Sequence, residues 1–168
     1  AGSDKIYTDN QEALNFTNAV SLSCWAKCEQ LGSERFLVSH GSWQQRYKLS
    51  ITPEGYIRWT VKTTNGVADL DGSAPIGLNR YYHITALYTG YSMELYIDGL
   101  PDAFKAFSGA ILPSTKPLTI GRMDNTETQY AFRGSIDEVK IWDREIPQKQ
   151  IAQLKNQWLS VARDTTGD

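Results

Sequence analysis

Two stretches that lie between predicted strands carry side chains able to bind a ligand. The first contains Trp43 and Arg46, and the second contains Asp124 and Tyr130 among further acidic and amide groups. A flat aromatic ring can cover the C–H side of a sugar, while guanidinium and carboxylate groups form paired hydrogen bonds with its hydroxyls. These residue types therefore predict a sugar-binding surface made of Trp43, Arg46, Asp124 and Tyr130.

The sequence leaves two points of this prediction open. Trp43 is equally well explained as a ring that closes over the edge of the core. The end of the fold at which each loop lies is also not specified, and the two ends are about 30 Å apart. Tyr91, in a Thr-Gly-Tyr-Ser turn, is a weaker candidate because the turn itself accounts for its exposure.

The acidic residues do not form a hydrolytic pair. Glycoside hydrolysis needs two carboxylates about 5 to 10 Å apart, and acids share one face of a strand only at alternate positions. Asp137 and Glu138 are adjacent and are therefore predicted on opposite faces, whereas Glu94 and Asp98 share a face but lie about 13 Å apart. His83 sits within a strand, where a structural imidazole is the better interpretation. We predict no catalytic residues, and hence a binding module rather than an enzyme.

Composition narrows the class of protein. The 168 residues include 17 Lys and Arg against 19 Asp and Glu, which gives a net charge of -2 and no basic field for nucleic acid. No run of about 18 apolar residues is present, so we expect no membrane insertion. We predict one domain over residues 1–160 and a polar tail or linker start over 161–168, in a piece of a longer chain.

The two cysteines are not predicted to form a disulfide. Cys24 and Cys28 lie four residues apart in one strand, which separates them by about 13 Å, whereas a disulfide needs Cα atoms within about 7 Å. We expect two buried thiols.

The elements that must position these residues are mostly strands. Short apolar–polar alternation is broken repeatedly by Gly, Pro, Asn and Asp, which is typical of an all-β protein, a two-sheet antiparallel β-sandwich. One segment, 147–155, has helical spacing and follows the last strand. The predicted strands are 20–28, 35–39, 46–52, 56–63, 82–89, 92–97, 118–121 and 135–142.

Alternation also assigns side chains to the two faces of a strand. It places Trp59 in the core rather than on a ligand platform. The set predicted to point inward is Tyr47, Leu49, Ile51, Ile57, Trp59 and Val61, and the set predicted to point outward is Lys48, Ser50, Arg58 and Lys62.

Over residues 2 to 155 the chain resembles the laminin G-like, concanavalin A-type lectin domains of many bacterial secreted proteins. Tyr81 and Tyr82 depart from the pattern, in which Trp and His are commoner. The most specific element is the last of the matching stretches, which are GSDKIYTDNQEALNFTNAVSLSCWAK, RYKLSITPEGYIRWTV, YYHITALYTGYSMELYIDGLP, LTIGR and FRGSIDEVKIWDREIPQKQIAQL.

The resemblance implies a jelly roll in a secreted or cell-surface protein, with a glycan or polysaccharide as partner and further domains covalently linked. In similar sandwiches a calcium ion ties the first strand to the last, which points to Asp4 and Asp137 as ligands. The alternative for Asp137 is an acceptor of backbone N–H bonds without metal. The alternative function is a protein-binding adhesion domain or a structural spacer, since the fold alone does not determine the function.

Overall fold

The computed structural model describes residues 6–9, 12–41 and 47–164, and the side chains of these ranges up to residue 157. The chain forms two antiparallel sheets that pack face to face, followed by one C-terminal helix. The predicted all-β sandwich of the jelly-roll kind is therefore confirmed.

One sheet has six strands and the other has five among the described residues. Every hydrogen-bonded pair of neighbours in both sheets is antiparallel. The six-stranded sheet has the order β1 (Ile6–Thr8), β10 (Leu118–Ile120), β3 (Arg35–His40), β4 (Tyr47–Ile51), β5 (Ile57–Thr63), β6 (Gly66–Asp71). The five-stranded sheet has the order β11 (Gly134–Trp142), β2 (Val20–Cys28), β7 (Tyr81–Tyr88), β8 (Ser92–Ile97), β9 (Leu100–Ala106).

All eight predicted strands are present, within about one residue at each end, but β1, β6 and β9 are not among the strands predicted from the sequence. β6 begins at Gly66, and glycine is one of the residues that interrupt the predicted strands. β9 is an edge strand with Pro101 near its start and mostly exposed side chains, so it shows no apolar alternation. A strand whose side chains are mostly exposed has little apolar–polar alternation by which its sequence could be recognised.

The inner faces of the two sheets form the main core. All six side chains predicted to point inward from β4 and β5 are buried in it. The indole Nε1–H of Trp59, on β5, donates a hydrogen bond of 3.0 Å to the carbonyl of Leu87 on β7. This bond joins one sheet to the other through the core.

The outer face of the six-stranded sheet is buried as well where β3 and β4 cross it. Lys48 lies there as predicted, yet it is only 4% exposed. Its ammonium donates to Oε1 of Glu34 at 2.7 Å and lies 4.5 Å from the centre of the Phe36 ring. Ser50 donates to the same carboxylate oxygen at 2.7 Å. These polar groups can be buried because they bond one another.

The C-terminal helix, α1 (Gln148–Asp164), is longer than predicted and continues into the segment expected to be a polar tail. It begins after Pro147, whose carbonyl accepts the N–H groups of Gln150 and Ile151. Ile151 is fully buried in a second, smaller cluster with Leu87 and Ile146. The helix is thus held by a small apolar contact outside the main core.

Both cysteines are free and buried, which confirms the prediction. Burial raises the pKa of the Cys24 thiol to about 12, so the thiol is protonated at neutral pH. The Cys28 thiol donates to the carbonyl of Gln30 at 3.3 Å.

We predict that Trp59→Phe lowers the free energy of unfolding by about 1–3 kcal/mol, because it leaves the Leu87 carbonyl buried without its donor. Urea denaturation measures the change. Tyr91→Phe, at an exposed position, is the control and should change stability by less than about 0.5 kcal/mol. Equal stability of the two variants would contradict a structural role for the indole N–H.

Candidate ligand-binding site

The segment 121–131, which links β10 to β11 and contains two of the predicted site residues, lies along β3. Gly121 donates its N–H to the carbonyl of Leu37 at 2.8 Å, and Phe36 donates to the carbonyl of Tyr130 at 3.2 Å. Arg35 adds a side-chain bond of 3.1 Å to the carbonyl of Ala131. The segment is therefore a fixed part of the fold rather than a free loop.

Asp124 organises this segment. Its Oδ1 accepts the N–H and the hydroxyl of Thr126 and the N–H of Glu127, each at 2.8 Å. Burial acts to raise the pKa of Asp124, but these bonds and the nearby Lys116 outweigh it and lower the pKa. The carboxylate is ionised at neutral pH and already has internal donors, so its contact with a ligand stays a prediction.

Tyr130, near the end of this segment, packs against Phe36 of β3. Its half-buried ring lies 6.0 Å from that of Phe36, centre to centre. Trp43 and Arg46 lie outside the described residues. In the sequence they follow His40, which ends β3. Phe36 lies near the start of the same strand, about 13 Å from His40. The four-residue surface stays a prediction.

Asp137 lies on β11, where the strand pairing is irregular. The register shifts between Asp137 and Lys140, and Glu138 has a φ of 52°. Strict alternation is therefore interrupted at this point, and both acids are exposed. Glu138 pairs with the ammonium of Lys140 at 2.8 Å.

Of the two predicted calcium ligands, only Asp137 lies among the described residues. Asp137 accepts the N–H of Glu138 through Oδ1 at 2.8 Å, and no hydrogen bond to its Oδ2 is found among the described groups. Asp4 lies outside the described residues, and within residues 6–9, 12–41 and 47–164 no three His, Cys, Asp or Glu side chains come together. An exposed carboxylate suits a hard cation, which takes six to eight oxygens, and calcium binding stays a prediction.

His83 has the structural role that its position in a strand predicts. It is buried, its Nε2 lies 2.9 Å from the hydroxyl of Ser23, and its ring lies 5.2 Å from that of Trp25. Burial lowers the pKa of His83 to about 4, although the carboxylate of Asp98 acts in the opposite direction. The imidazole is therefore neutral at pH 7.

A hollow of about 440 Å³ lies at one end of the sandwich, where four connections meet. We call it the Tyr91 pocket. It is lined by residues 17–18 before β2, Asn65 between β5 and β6, residues 89–91 between β7 and β8, and residues 108–110 after β9.

Hydrogen bonds tie these four connections to one another. The hydroxyl of Tyr88 donates to the carbonyl of Gly109 at 2.5 Å and lies 3.4 Å from that of Gly90. The side-chain amide of Asn65 donates to the carbonyl of Ser108 at 3.1 Å and to its hydroxyl at 3.2 Å. The pocket is preformed.

Glycine is required where the connections approach most closely. Gly109 has a φ of +117°, and a Cβ there would lie 2.7 Å from the hydroxyl oxygen of Thr63. Gly90 has a φ of +90°, and a Cβ there would lie 3.0 Å from the carbonyl oxygen of Asn18. Both positions combine a conformation that favours glycine with a lack of space.

Tyr91 is 82% exposed, more than any other large apolar or aromatic side chain among the described residues. Its backbone is held, because its N–H donates to Thr89 Oγ1 at 3.3 Å and its carbonyl accepts the N–H of Phe107 at 3.0 Å. The sequence marked Tyr91 as a weak candidate but did not reveal Asn18 and Asn65 beside it, because three separate connections bring them together.

The fold and this geometry can be compared with known proteins. Residues 1–152 match the family model of the concanavalin A-like lectin/glucanases superfamily. The chain belongs to this superfamily. No curated protein matches the chain. Among the described residues, no helix combines the length and the apolar character needed to cross a lipid bilayer.

Three solved structures similar to this superfamily member show the same fold at low identity. The binding domain of Paraclostridial Mosquitocidal Protein 1 is 21% identical with a TM-score of 0.75, and the match covers 94% of this chain and 42% of that one. A heptameric pentraxin from Limulus polyphemus is 15% identical with a TM-score of 0.65, over 83% and 70%. Botulinum neurotoxin type C, in a structure concerned with ganglioside-dependent cell entry, is 16% identical with a TM-score of 0.70, over 94% and 41%. The chain spans less than half the length of the two toxin chains.

We predict that a chelator lowers the melting temperature of the protein and that Asp137→Ala removes this difference, because the variant lacks a calcium ligand. Glu138→Ala is the matched control, since that carboxylate is paired with Lys140, and it should keep the response to chelator. Identical melting curves of the unaltered protein with and without chelator would leave Asp137 as a structural acceptor.

We predict that stability falls as the pH drops from about 6.5 to about 4. The unfolded chain takes up a proton at His83 near pH 6.5, whereas the native imidazole does so only near pH 4. The contribution lost across this window is up to about 3 kcal/mol and is constant below it. Urea denaturation at both ends of the window should show a smaller loss for His83→Gln, and an equal loss in both proteins would contradict the assignment.

Proposed function

We propose that this domain is a non-catalytic carbohydrate-binding module and that the Tyr91 pocket binds the sugar. The observation that carries the proposal is a tyrosine ring that is 82% exposed on a turn whose backbone is fixed, with Asn18 and Asn65 lining the same hollow. Stacking of a sugar ring on an aromatic face, with amides bonding its hydroxyls, needs this combination of groups.

The packing of the core does not involve this ring. Tyr88, which precedes the turn, and Phe107, which follows β9, pack against each other with ring centres 6.3 Å apart, and Tyr91 lies outside the core cluster. An exposed aromatic ring on a fixed backbone is available to stack on the face of a ligand. Because the four connections are already tied, binding would cost little ordering of the protein.

Three acids, Asp71, Asp102 and Glu34, are bonded to neighbouring groups, which is consistent with the proposed binding role. The carboxylate of Asp71 accepts two bonds of 2.7 Å from Arg58, and Asp102 accepts bonds from Ser73. Glu34 is buried and bonded to Lys48. General acid and nucleophile roles need carboxylates that face a substrate, whereas these are bonded to neighbouring side chains.

Three wider elements belong to the same proposal. We place the domain in a longer secreted or cell-surface protein, with calcium bound through Asp137. The similarity to a neurotoxin structure concerned with gangliosides supports a glycan as the partner class. The surface predicted from the sequence, with Trp43 at its centre, is the second candidate position for the ligand.

The test is a glycan array followed by calorimetry with the best ligand. Tyr91→Ala should weaken binding at least about tenfold, a loss of about 1.4 kcal/mol, because it removes the stacking face. Phe104→Ala is the matched control, since Phe104 is also an exposed aromatic residue, 68% exposed, but lies on β9 away from this pocket. Melting temperatures of both variants should stay close to that of the unaltered protein.

Two outcomes would change the proposal. Binding that is lost in Trp43→Ala and kept in Tyr91→Ala would move the site to the surface predicted from the sequence. A protein that binds no glycan, with and without calcium, would contradict the function and favour the adhesion or spacer alternative.

A further inference from the structure

We infer that the Tyr91 pocket selects an uncharged saccharide and disfavours sugars that carry a carboxylate, sulfate or phosphate group. This inference rests on the proposed function and narrows its ligand class. It follows from the charges and hydrogen-bonding groups that line the pocket.

None of the described residues that line the pocket has an acidic or basic side chain. An anionic group that bound there would lose part of its hydration without meeting an opposite charge, and the few neutral donors of the lining would offset this loss only in part. A hydroxyl group loses far less hydration free energy than an anion does, and neutral donors and acceptors can replace its hydrogen bonds to water. The absence of charge in this lining therefore discriminates against anions.

The polar groups that remain available are neutral and include acceptors. Asn65 directs its NH₂ group to Ser108, which leaves its Oδ1 available as an acceptor. Among the described residues no hydrogen bond is found to the side chain of Asn18, which offers one acceptor and two donors. The Tyr91 hydroxyl, likewise without a bond to a described group, adds a donor and an acceptor. Hydroxyls can pair with all of these groups, whereas an anion cannot pair with the acceptors.

A second hollow, of about 270 Å³, shows the contrasting case. It lies on β8 and β9 and is lined by Tyr96, Phe104 and two acids, Glu94 and Asp102. Glu94 accepts bonds from Ser92 and Tyr96, and Asp102 accepts bonds from Ser73. An exposed aromatic ring thus lies among charges in one hollow and among neutral groups in the other, which makes Phe104 a suitable control for Tyr91.

The test uses neutral hexose oligosaccharides printed beside the same oligosaccharides with one uronic acid, sialic acid or sulfate group. The full chain should bind neutral members at least about tenfold more tightly than their charged partners. The dissociation constant of a neutral member should not change up to about 1 M NaCl, where charges are screened beyond about 3 Å. Tyr91→Ala should remove the binding, and Phe104→Ala should keep it.

Asn18→Lys provides a gain-of-function arm at an exposed position. It adds a cation to the rim of the pocket. At low salt this should reduce the difference in affinity between neutral and charged oligosaccharides, and added NaCl should restore that difference. Tighter binding of charged members by the unaltered chain, dependent on Tyr91 and weakened by salt, would overturn the inference and leave the proposed function standing. Binding that survives Tyr91→Ala would contradict the location of the site. A lack of binding to any oligosaccharide would contradict both the proposed function and the inference.

Discussion

The structure depends on the mutual burial of the inner faces of its two sheets. Neither sheet can bury its apolar side chains alone, so the strands must present alternate residues to one shared core. The bond from Trp59 to the carbonyl of Leu87 adds a directional contact to this burial. Because the strands are committed to the core, the connections at the ends of the sandwich are the parts of the chain free to contact other molecules.

The candidate site takes its rigidity from that core. Tyr88 is fully buried at the end of β7, and its ring belongs to the main apolar cluster. Its hydroxyl bonds the carbonyl of Gly109 and approaches that of Gly90, so one core residue holds two of the four connections that form the pocket. Tyr91 itself belongs to no apolar cluster. The site therefore combines a backbone held by hydrogen bonds with an exposed side chain that is not packed in the core.

The outer faces of the two sheets are treated differently. The five-stranded sheet is covered in part by α1, through an apolar contact centred on Leu87 and Ile151. On the six-stranded sheet Lys48, Ser50 and Glu34 are buried beside Phe36, and the segment 121–131 is bonded along β3. On both sheets, the side chains buried on the outer face have partners. These are apolar contacts with the helix on one sheet and hydrogen bonds between polar groups on the other.

The sequence by itself determined the class of fold, the strands that alternate, the inward set around Trp59, the unpaired cysteines and the structural role of His83, because each depends on local period or spacing. Only the tertiary structure decided that β9 is a strand, since an exposed edge strand has no apolar period, and that a bulge exposes both Asp137 and Glu138. The same holds for the site. Tyr91 can be found in its turn, but its neighbours Asn18 and Asn65 come from distant parts of the chain, and contacts across connections follow from the packing of the sheets rather than from any local pattern.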